Sequence, residues 1–244
     1  MTVHILALDA TQNSVNRQIA YVGFTAQGEE TRFFEAEAFD ALDLSRGDIV
    51  IGGVGFAQRA MARLGLAAPA LPSIPEPLAP FAGRKLWRAT MGDARARIDR
   101  GERLFVKPIP ERTKRFDGRA LLSFQDLIAT ARVPDEEPVE CAEIVDFVSE
   151  SRAFILRGAV LDLRPYKGDP LRFPDPAILR AALTAYAPAP RAYALDLGVT
   201  AEGRTLIVEI NDAYATGAYG LAPMRYASFI AARWRELEEA ARAA

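Results

Sequence analysis

The chain has 244 residues, of which 50% are hydrophobic and 25% are charged, and its formal net charge at pH 7 is −2. This length can hold one large or two small domains with a substantial core. The near-neutral charge offers no basic footprint for nucleic acid or anionic membrane, and no segment approaches the ~18 apolar residues of a membrane span. The first residues lack the charged and apolar regions of a signal peptide, so we expect a cytoplasmic protein with neither nucleic-acid nor membrane partners.

Two residue types that often carry chemistry occur only once. Cys141 is the single cysteine and His4 the single histidine. An internal disulfide and a thiolate metal cluster are therefore excluded, which fits a reducing compartment. A histidine-based catalytic triad and a multi-histidine zinc site are excluded as well, and His4, inside an apolar run, is predicted to be structural.

The first 80 residues predict a small α/β domain. Three strand-like apolar runs and one amphipathic helix are expected at residues 3–8, 20–25, 49–51 and 56–64. Gly52–Gly55 joins a strand to this helix and could present backbone N–H groups to an anion or simply form a tight turn. Five prolines between Pro69 and Pro80 predict an extended, non-helical connector. We place the boundary there, between domains 1–80 and 81–244.

The second part mixes helices and strands in the manner of an α+β fold. Helices are predicted over residues 93–100, 123–131, 176–186 and along 226–237, and strands over 104–106 and 139–148. Arg157-Gly158 is a two-residue turn between apolar runs, which predicts a hairpin. A second hairpin is predicted where Tyr193–Val199 and Thr205–Asn211 alternate between polar and apolar residues.

The second hairpin carries the most informative polar residues. If its turn closes symmetrically, Asp196 lies opposite Glu209 and Asn211 is the diagonal neighbour on the same face. Carboxylate and amide oxygens are the ligands that Mg²⁺ prefers, and a cation explains why two acids oppose each other. The alternative is an ordinary solvated hairpin face, which the hairpin taken alone favours.

Cationic residues appear at two further places. Lys107 ends an apolar strand and could donate to a phosphate or only extend to solvent. The following loop contains Lys114 and ends at Gly118, and could close over a polyphosphate or be a solvated turn.

The first hairpin brings a second group of cations together. Its turn should place Arg152 beside Arg164, which follows the second strand together with Lys167. Two adjacent guanidinium groups need an anion, which could be a phosphate, a substrate carboxylate or simply Glu150.

Taken in chain order, these motifs resemble the ATP-grasp superfamily. The order is Lys107-Pro108, a glycine-bearing loop, Glu143 and Glu150, a basic hairpin, Asp196, and finally Glu209-Ile210-Asn211. The closing segment Val208–Asp212, followed by Thr216–Leu221, resembles a small clade of the superfamily named for two arginines and a lysine. The similarity covers about residues 85–240, and the first part resembles the smaller domain that precedes the ATP-grasp domain.

The resemblance implies that two α+β subdomains clamp ATP, with adenine in the hinge between them. It assigns nucleotide contacts to Lys107, Lys114, Glu143 and Glu150. It assigns Mg²⁺ to Asp196, Glu209 and Asn211, and the γ-phosphate or acyl-phosphate to Arg152, Arg164 and Lys167.

The activity that the resemblance implies is ATP- and Mg²⁺-dependent joining of a carboxylate and an amine through an acyl-phosphate. The expected partners are a small-molecule or peptide carboxylate and an amine acceptor. Such chemistry needs charge neutralisation rather than a covalent residue, which suits a chain with one histidine and one cysteine. The alternatives are a small-molecule kinase with the same fold and a nucleotide-binding protein without turnover.

Overall fold

The computed structural model describes residues 1–8, 13–69, 72–109 and 116–243. Its first part is a three-stranded parallel sheet in the order β2-β1-β3, with two helices. The strands are β1 (Thr2–Leu6), β2 (Glu30–Phe34) and β3 (Ile49–Ile51), and the helices are α1 (Asn13–Ala26) and α2 (Val54–Arg63). This arrangement agrees with the predicted small α/β unit, although β2 was not predicted and one segment that was predicted as a strand is helical.

That segment is residues 20–25, which we predicted as a strand and which lies within α1. Ala20 and Phe24 are fully buried, whereas Tyr21 and Val22 are 37% and 46% exposed. Burial of residues four apart, with exposure between them, is the helical period. The strand prediction was wrong because a short apolar run cannot by itself distinguish the two periods.

The rest of the described chain contains two four-stranded antiparallel sheets. The first has the order β4-β7-β5-β6 and carries α3, and its elements are β4 (Leu86–Thr90), α3 (Met91–Asp99), β5 (Leu104–Pro108), β6 (Arg119–Leu121) and β7 (Pro138–Ala142). The second has the order β11-β10-β8-β9 and carries α4, and its elements are β8 (Phe147–Leu156), β9 (Ala159–Gly168), α4 (Pro176–Ala185), β10 (Ala192–Thr200) and β11 (Thr205–Asp212). The Phe124–Thr130 segment is a 3-10 helix rather than the predicted α-helix.

The two sheets are joined where we predicted one continuous strand. Residues 139–148 divide into the end of β7 and the start of β8, separated by 143–146. The chain therefore leaves one sheet and enters the other at this connection. The hairpin between β8 and β9 is as predicted: Arg157 and Gly158 have φ of 52° and 77°, the left-handed pair of a two-residue turn.

The last helix, α5 (Pro223–Ala243), packs between the first part and the second sheet. Its buried residues Phe229, Ile230 and Trp234 belong to one core with residues of β1, α1 and α2. The aromatic face of this helix is core, as we expected from its spacing. Helices and sheets are thus combined in an α+β fold, and none of the helices in the described ranges is long and apolar enough to cross a bilayer.

The prediction of an extended, non-helical connector was wrong over its second half. Glu76–Phe81 is a 3-10 helix that starts with a proline in its first turn, a position that proline tolerates. Leu78 is buried against the core beneath β8 and β10, and the Ser73 carbonyl accepts from the Ile210 N–H at 2.8 Å. The connector therefore packs along the edge strand β11 rather than running free.

Cys141 is a probe of the packing of the first antiparallel sheet. It is completely buried in β7, and burial raises the pKa of its thiol to about 11. We expect the native protein to react with 5,5′-dithiobis(2-nitrobenzoate) at least about 100-fold more slowly than the protein in denaturant. Equal rates under the two conditions would contradict the packing of the first antiparallel sheet.

Candidate active site

One row of charged side chains crosses all four strands of the second sheet. Glu209 on β11 is paired with Asp196 on β10, Asp196 with Arg152 on β8, and Arg152 with Arg164 on β9. The predicted opposition of Asp196 and Glu209 and the predicted neighbourhood of Arg152 and Arg164 are both confirmed. The row runs from two acids to two guanidinium groups, so it can face a polyanion and its cation together.

The pairing of Asp196 with Glu209 does not arise from a symmetric turn. Val199 pairs with Thr205 and Leu197 with Ile207, and the register shifts before Asp196 meets Glu209. Val208 is the extra residue of this β-bulge, and it is only half-buried. The bulge offsets the asymmetry of the turn and returns Glu209 to the polar face.

Arg84 holds the bulge in place. Its guanidinium donates to the carbonyl oxygens of Ile207 and Val208, at 2.8 Å each. Burial lowers the pKa of Arg84, against the attraction of nearby acids that include Glu140 and Glu209. The sequence offered no signal for this role, because a bulge and its donor are set by tertiary contact.

Replacing Arg84 with methionine should destabilise the protein, because two bulge carbonyls lose their donor. We expect the free energy of unfolding to fall by about 1–3 kcal/mol, measured by urea denaturation. Lys85→Met, at the exposed neighbouring position, is the matched control and should change stability little. Equal effects of the two substitutions would show that Arg84 does not support the bulge.

Asp196 and Arg152 form a buried bidentate ion pair. Arg152 Nε donates to one carboxylate oxygen at 2.7 Å and Nη2 donates to the other at 2.6 Å. Their side chains are 2% and 6% exposed. Burial raises the pKa of Asp196 to about 6, although Arg152 acts in the opposite direction.

Two residues of the segment Thr216–Leu221, to which the sequence assigned no role, complete the surroundings of Arg152. Its Nη1 donates to the Thr216 hydroxyl at 2.7 Å, and its guanidinium lies 4.5 Å from the centroid of the Tyr219 ring. Tyr219 has a φ of 43°, an uncommon left-handed conformation for a tyrosine. Strained residues of this kind occur often at functional sites. The conformation of Tyr219 can be read only from the backbone geometry and not from the sequence.

Lys107 reaches this row from the other sheet. Its Nζ donates to Glu209 Oε2 at 2.9 Å and lies 3.5 Å from Oε1 of Glu140. Burial alone would raise the pKa of Glu209, but Lys107, the Asn211 amide and Arg152 together hold it below its usual value. Glu209 therefore lies where the two antiparallel sheets meet, in contact with a cation of the other sheet.

The donor set on β11 fits magnesium bound together with phosphate. The Asn211 amide nitrogen donates to Glu209 at 3.1 Å and to Asp196 at 3.3 Å, so the three predicted ligands are adjacent. Within the described residues, no group of three or more Asp, Glu, His or Cys could hold a metal alone. Mg²⁺ needs only one or two carboxylates when substrate phosphates supply other ligands. Both oxygens of Asp196 accept from Arg152, whereas those of Glu209 accept from Lys107 and Asn211.

The remaining cations of the basic hairpin are paired within their own sheet. Lys167 Nζ donates to the buried Glu150 carboxylate, and the Tyr166 hydroxyl donates to the same carboxylate at 2.8 Å. Arg164 donates to Asp162 at 2.8 Å. Glu150 is thus the partner of Lys167, not of Arg152 and Arg164.

Glu143, another of the predicted nucleotide contacts, lies apart from this row. Glu143 is exposed at the connection between β7 and β8, where its carboxylate accepts from the Lys85 N–H at 2.9 Å. Lys114 lies outside the described residues. We predicted Glu143 on a strand, which was wrong because it lies in the connection that links the two sheets. Its contact with the nucleotide stays a prediction.

The part of the chain that holds this site matches a known protein family. An ATP-grasp domain model, that of family 2 in the clade named for two arginines and a lysine, matches residues 81–229. The chain belongs to this family. The resemblance that the motifs carry, both to the ATP-grasp superfamily and to this clade, is therefore confirmed.

Solved structures share the fold of this ATP-grasp protein at low identity. D-cycloserine synthetase DcsG is 13% identical with a TM-score of 0.62, over 96% of this chain and 100% of that one. D-alanine–D-alanine ligase from Bacillus anthracis complexed with ATP is 12% identical with a TM-score of 0.57, over 98% and 99%. N5-carboxyaminoimidazole synthetase from Staphylococcus aureus is 11% identical with a TM-score of 0.61, over 96% and 77%. A search of curated proteins finds no match.

Proposed function

We propose that this protein is an ATP- and Mg²⁺-dependent ligase that joins a carboxylate to an amine through an acyl-phosphate. The observation that carries the proposal is the Lys107–Glu209 contact, which brings a phosphate-binding type of cation and a metal-binding type of acid together between the two sheets. The structurally similar proteins include a D-alanine–D-alanine ligase and two synthetases, which supports ligase chemistry over other uses of the fold.

The proposed roles follow the order of charges across the sheet. Glu209 and Asn211 would hold Mg²⁺ with the nucleotide phosphates, and Lys107 would donate to those phosphates. The ion would neutralise charge on the phosphate groups during transfer. Asp196 would orient Arg152 through their bidentate ion pair. Arg152 is the cation that would face the transferring phosphoryl group.

The chemistry requires two steps, neither of which needs a covalent residue. A carboxylate oxygen of the substrate attacks the γ-phosphorus of ATP, which breaks the bond to the β-phosphate oxygen and releases ADP. The amine nitrogen then attacks the acyl carbon, a C–N bond forms, phosphate leaves with its oxygen, and the amine loses a proton to phosphate or water. Lys107, Arg152, Arg164 and Lys167 would neutralise the charge that these steps move.

Hydroxylamine trapping tests this proposal. Protein, MgATP and a panel of amino acids and short peptides are incubated with hydroxylamine, and ADP and acyl hydroxamate are both measured. We expect ADP and hydroxamate in equal amounts for at least one carboxylate, since hydroxylamine takes the place of the amine. ADP with a phosphorylated hydroxyl product and no hydroxamate would instead indicate a kinase and contradict the proposal.

A further inference from the structure

The segment 214–220, which follows β11, contacts two sides of the Arg152 guanidinium. Thr216 is buried and its hydroxyl accepts from Nη1 at 2.7 Å, and the centroid of the Tyr219 ring lies 4.5 Å from the guanidinium carbon. Asp196 accepts from Nε and Nη2, so this carboxylate fixes the other edge of the group. The orientation of the guanidinium therefore depends on the segment as well as on the ion pair.

The first part of the chain holds this segment from the opposite side. Asn16 lies near the start of α1, and its Oδ1 accepts from the Ala218 N–H at 2.9 Å. The two backbones approach closely, since a Cβ atom placed on Gly217 would lie 3.5 Å from the Asn16 amide nitrogen. At the start of the segment, Gln58 of α2 donates to the Tyr214 hydroxyl at 3.1 Å. Two helices of the first part thus hold the segment.

The hydrogen bond to Asn16 acts next to the strained residue of the segment. Ala218 directly precedes Tyr219, whose φ is 43°, and Gly220 follows with a φ of 82°. A tyrosine keeps this conformation only where its surroundings fix it. The Tyr166 ring, 4.9 Å away between centroids, supports the Tyr219 side chain, and Asn16 supports the backbone before it. Without the Asn16 acceptor, we expect Tyr219 to relax away from the guanidinium.

A displaced segment would change the direction of Arg152 without breaking its ion pair. Both hydrogen bonds to Asp196 lie within the second sheet and do not involve the segment. Misplacement of a reacting or charge-stabilising group by about 1 Å can cost about 100-fold in rate. Loss of the Asn16 acceptor should therefore affect turnover far more than it affects folding.

We propose that Asn16 is a positioning residue for Arg152: from the first part of the chain it fixes the segment 214–220, which in turn orients the guanidinium for phosphoryl transfer. The inference rests on the proposed ligase function for the part that Arg152 plays in turnover. The orientation of Arg152 is a separate property and can be measured without any substrate.

Three variants of α1 test the positioning by ADP release, with MgATP and a carboxylate found by hydroxylamine trapping. Asn16→Leu has a similar volume but no acceptor, and we expect its kcat to fall about tenfold with an unchanged KM for ATP. Asn16→Asp keeps an oxygen that can accept from the Ala218 N–H, so its kcat should stay within about twofold of the native value. Gln18→Leu, at an exposed position of the same helix, is the matched control.

Two outcomes of this series would overturn the proposal. Equal kcat values in Asn16→Leu and Gln18→Leu would show that Asn16 has no effect on turnover. Equal losses in Asn16→Leu and Asn16→Asp would show that its acceptor oxygen is not what matters. Asn16→Ala, which also lacks the acceptor, takes the place of Asn16→Leu if the latter does not fold.

Nuclear magnetic resonance of the arginine side chains tests the orientation without turnover. The Arg152 Nε–H signal is assigned by its absence from Arg152→Lys, and its chemical shift depends on the nearby Tyr219 ring. We expect the signal to move in Asn16→Leu in the same direction as in Tyr219→Leu, and to keep its position in Asn16→Asp and Gln18→Leu. An Arg152 signal that does not move in Asn16→Leu would overturn the proposal.

The two measurements separate this proposal from the ligase function. An Arg152 signal that moves in Asn16→Leu, in a protein whose native form releases no ADP, would support the positioning and contradict the ligase. Hydroxamate formation that is unchanged in Asn16→Leu would support the ligase and overturn the positioning.

Discussion

Glu209→Gln is expected to lower ATP turnover by about 100- to 1000-fold while leaving the protein folded. The substitution keeps the size of the side chain but removes the charge that contacts Lys107 and that would bind Mg²⁺ between the two sheets. The partner of Glu209 is Lys107 of the other sheet and not a residue of the hydrophobic core. The substitution therefore removes little packing. ADP release measures the first effect, and urea unfolding measures the second.

A matched control is available on the same hairpin. Glu202 lies in the exposed turn between β10 and β11, so Glu202→Gln removes one acid with no change in the polar face. Turnover of this variant should equal that of the native protein. Native turnover in Glu209→Gln would remove Glu209 from the proposed magnesium site.

Arg152→Met is expected to reduce the free energy of unfolding by about 3–5 kcal/mol. The substitution leaves the Asp196 carboxylate, which is 2% exposed, without the bidentate guanidinium that balances its charge. It also removes the donor to the Thr216 hydroxyl. Urea denaturation measures the loss, and ADP release should fall with it if Arg152 faces the phosphoryl group.

The double variant Arg152→Met with Asp196→Asn separates the buried charge from packing. We expect it to recover part of the lost stability, because no uncompensated charge remains, but not the lost turnover. Arg180→Met, at an exposed position on α4, is the control and should have little effect. If Arg152→Met and Arg180→Met were equally stable, the ion pair would contribute nothing to folding.

Local patterns were sufficient where the interacting residues lie close in sequence. The hairpin around Arg157-Gly158 was predicted because this pair separates two apolar runs, and in the structure both residues have the left-handed φ of such a turn. The pairing of Asp196 with Glu209 was also predicted, although on the assumption of a symmetric turn. The structure reaches the same pairing by an asymmetric turn and a bulge at Val208 that offset each other.

Features that depend on distant parts of the chain were not predictable from one sequence. We expected one strand over residues 139–148, but the two halves of this apolar segment belong to different sheets. We grouped Asp196 with the metal ligands and Arg152 with the phosphate ligands, and the structure joins the two as an ion pair. Arg84 belongs to no motif, because its contact with the bulge exists only after the chain has folded. Tyr219 lies in the segment Thr216–Leu221 that carries the resemblance, but its contact with Arg152 could not be derived from that segment alone.

The proposed function requires, before anything else, that ATP binds between the two antiparallel sheets. Calorimetric titration of the native protein with ATP, in Mg²⁺ and in EDTA, measures this without any knowledge of the substrates. We predict one site per chain in Mg²⁺, at least about tenfold weaker binding in EDTA, and a similar loss in Lys107→Met. Absence of ATP binding in Mg²⁺, or binding that is unchanged in EDTA and in Lys107→Met, would contradict the account.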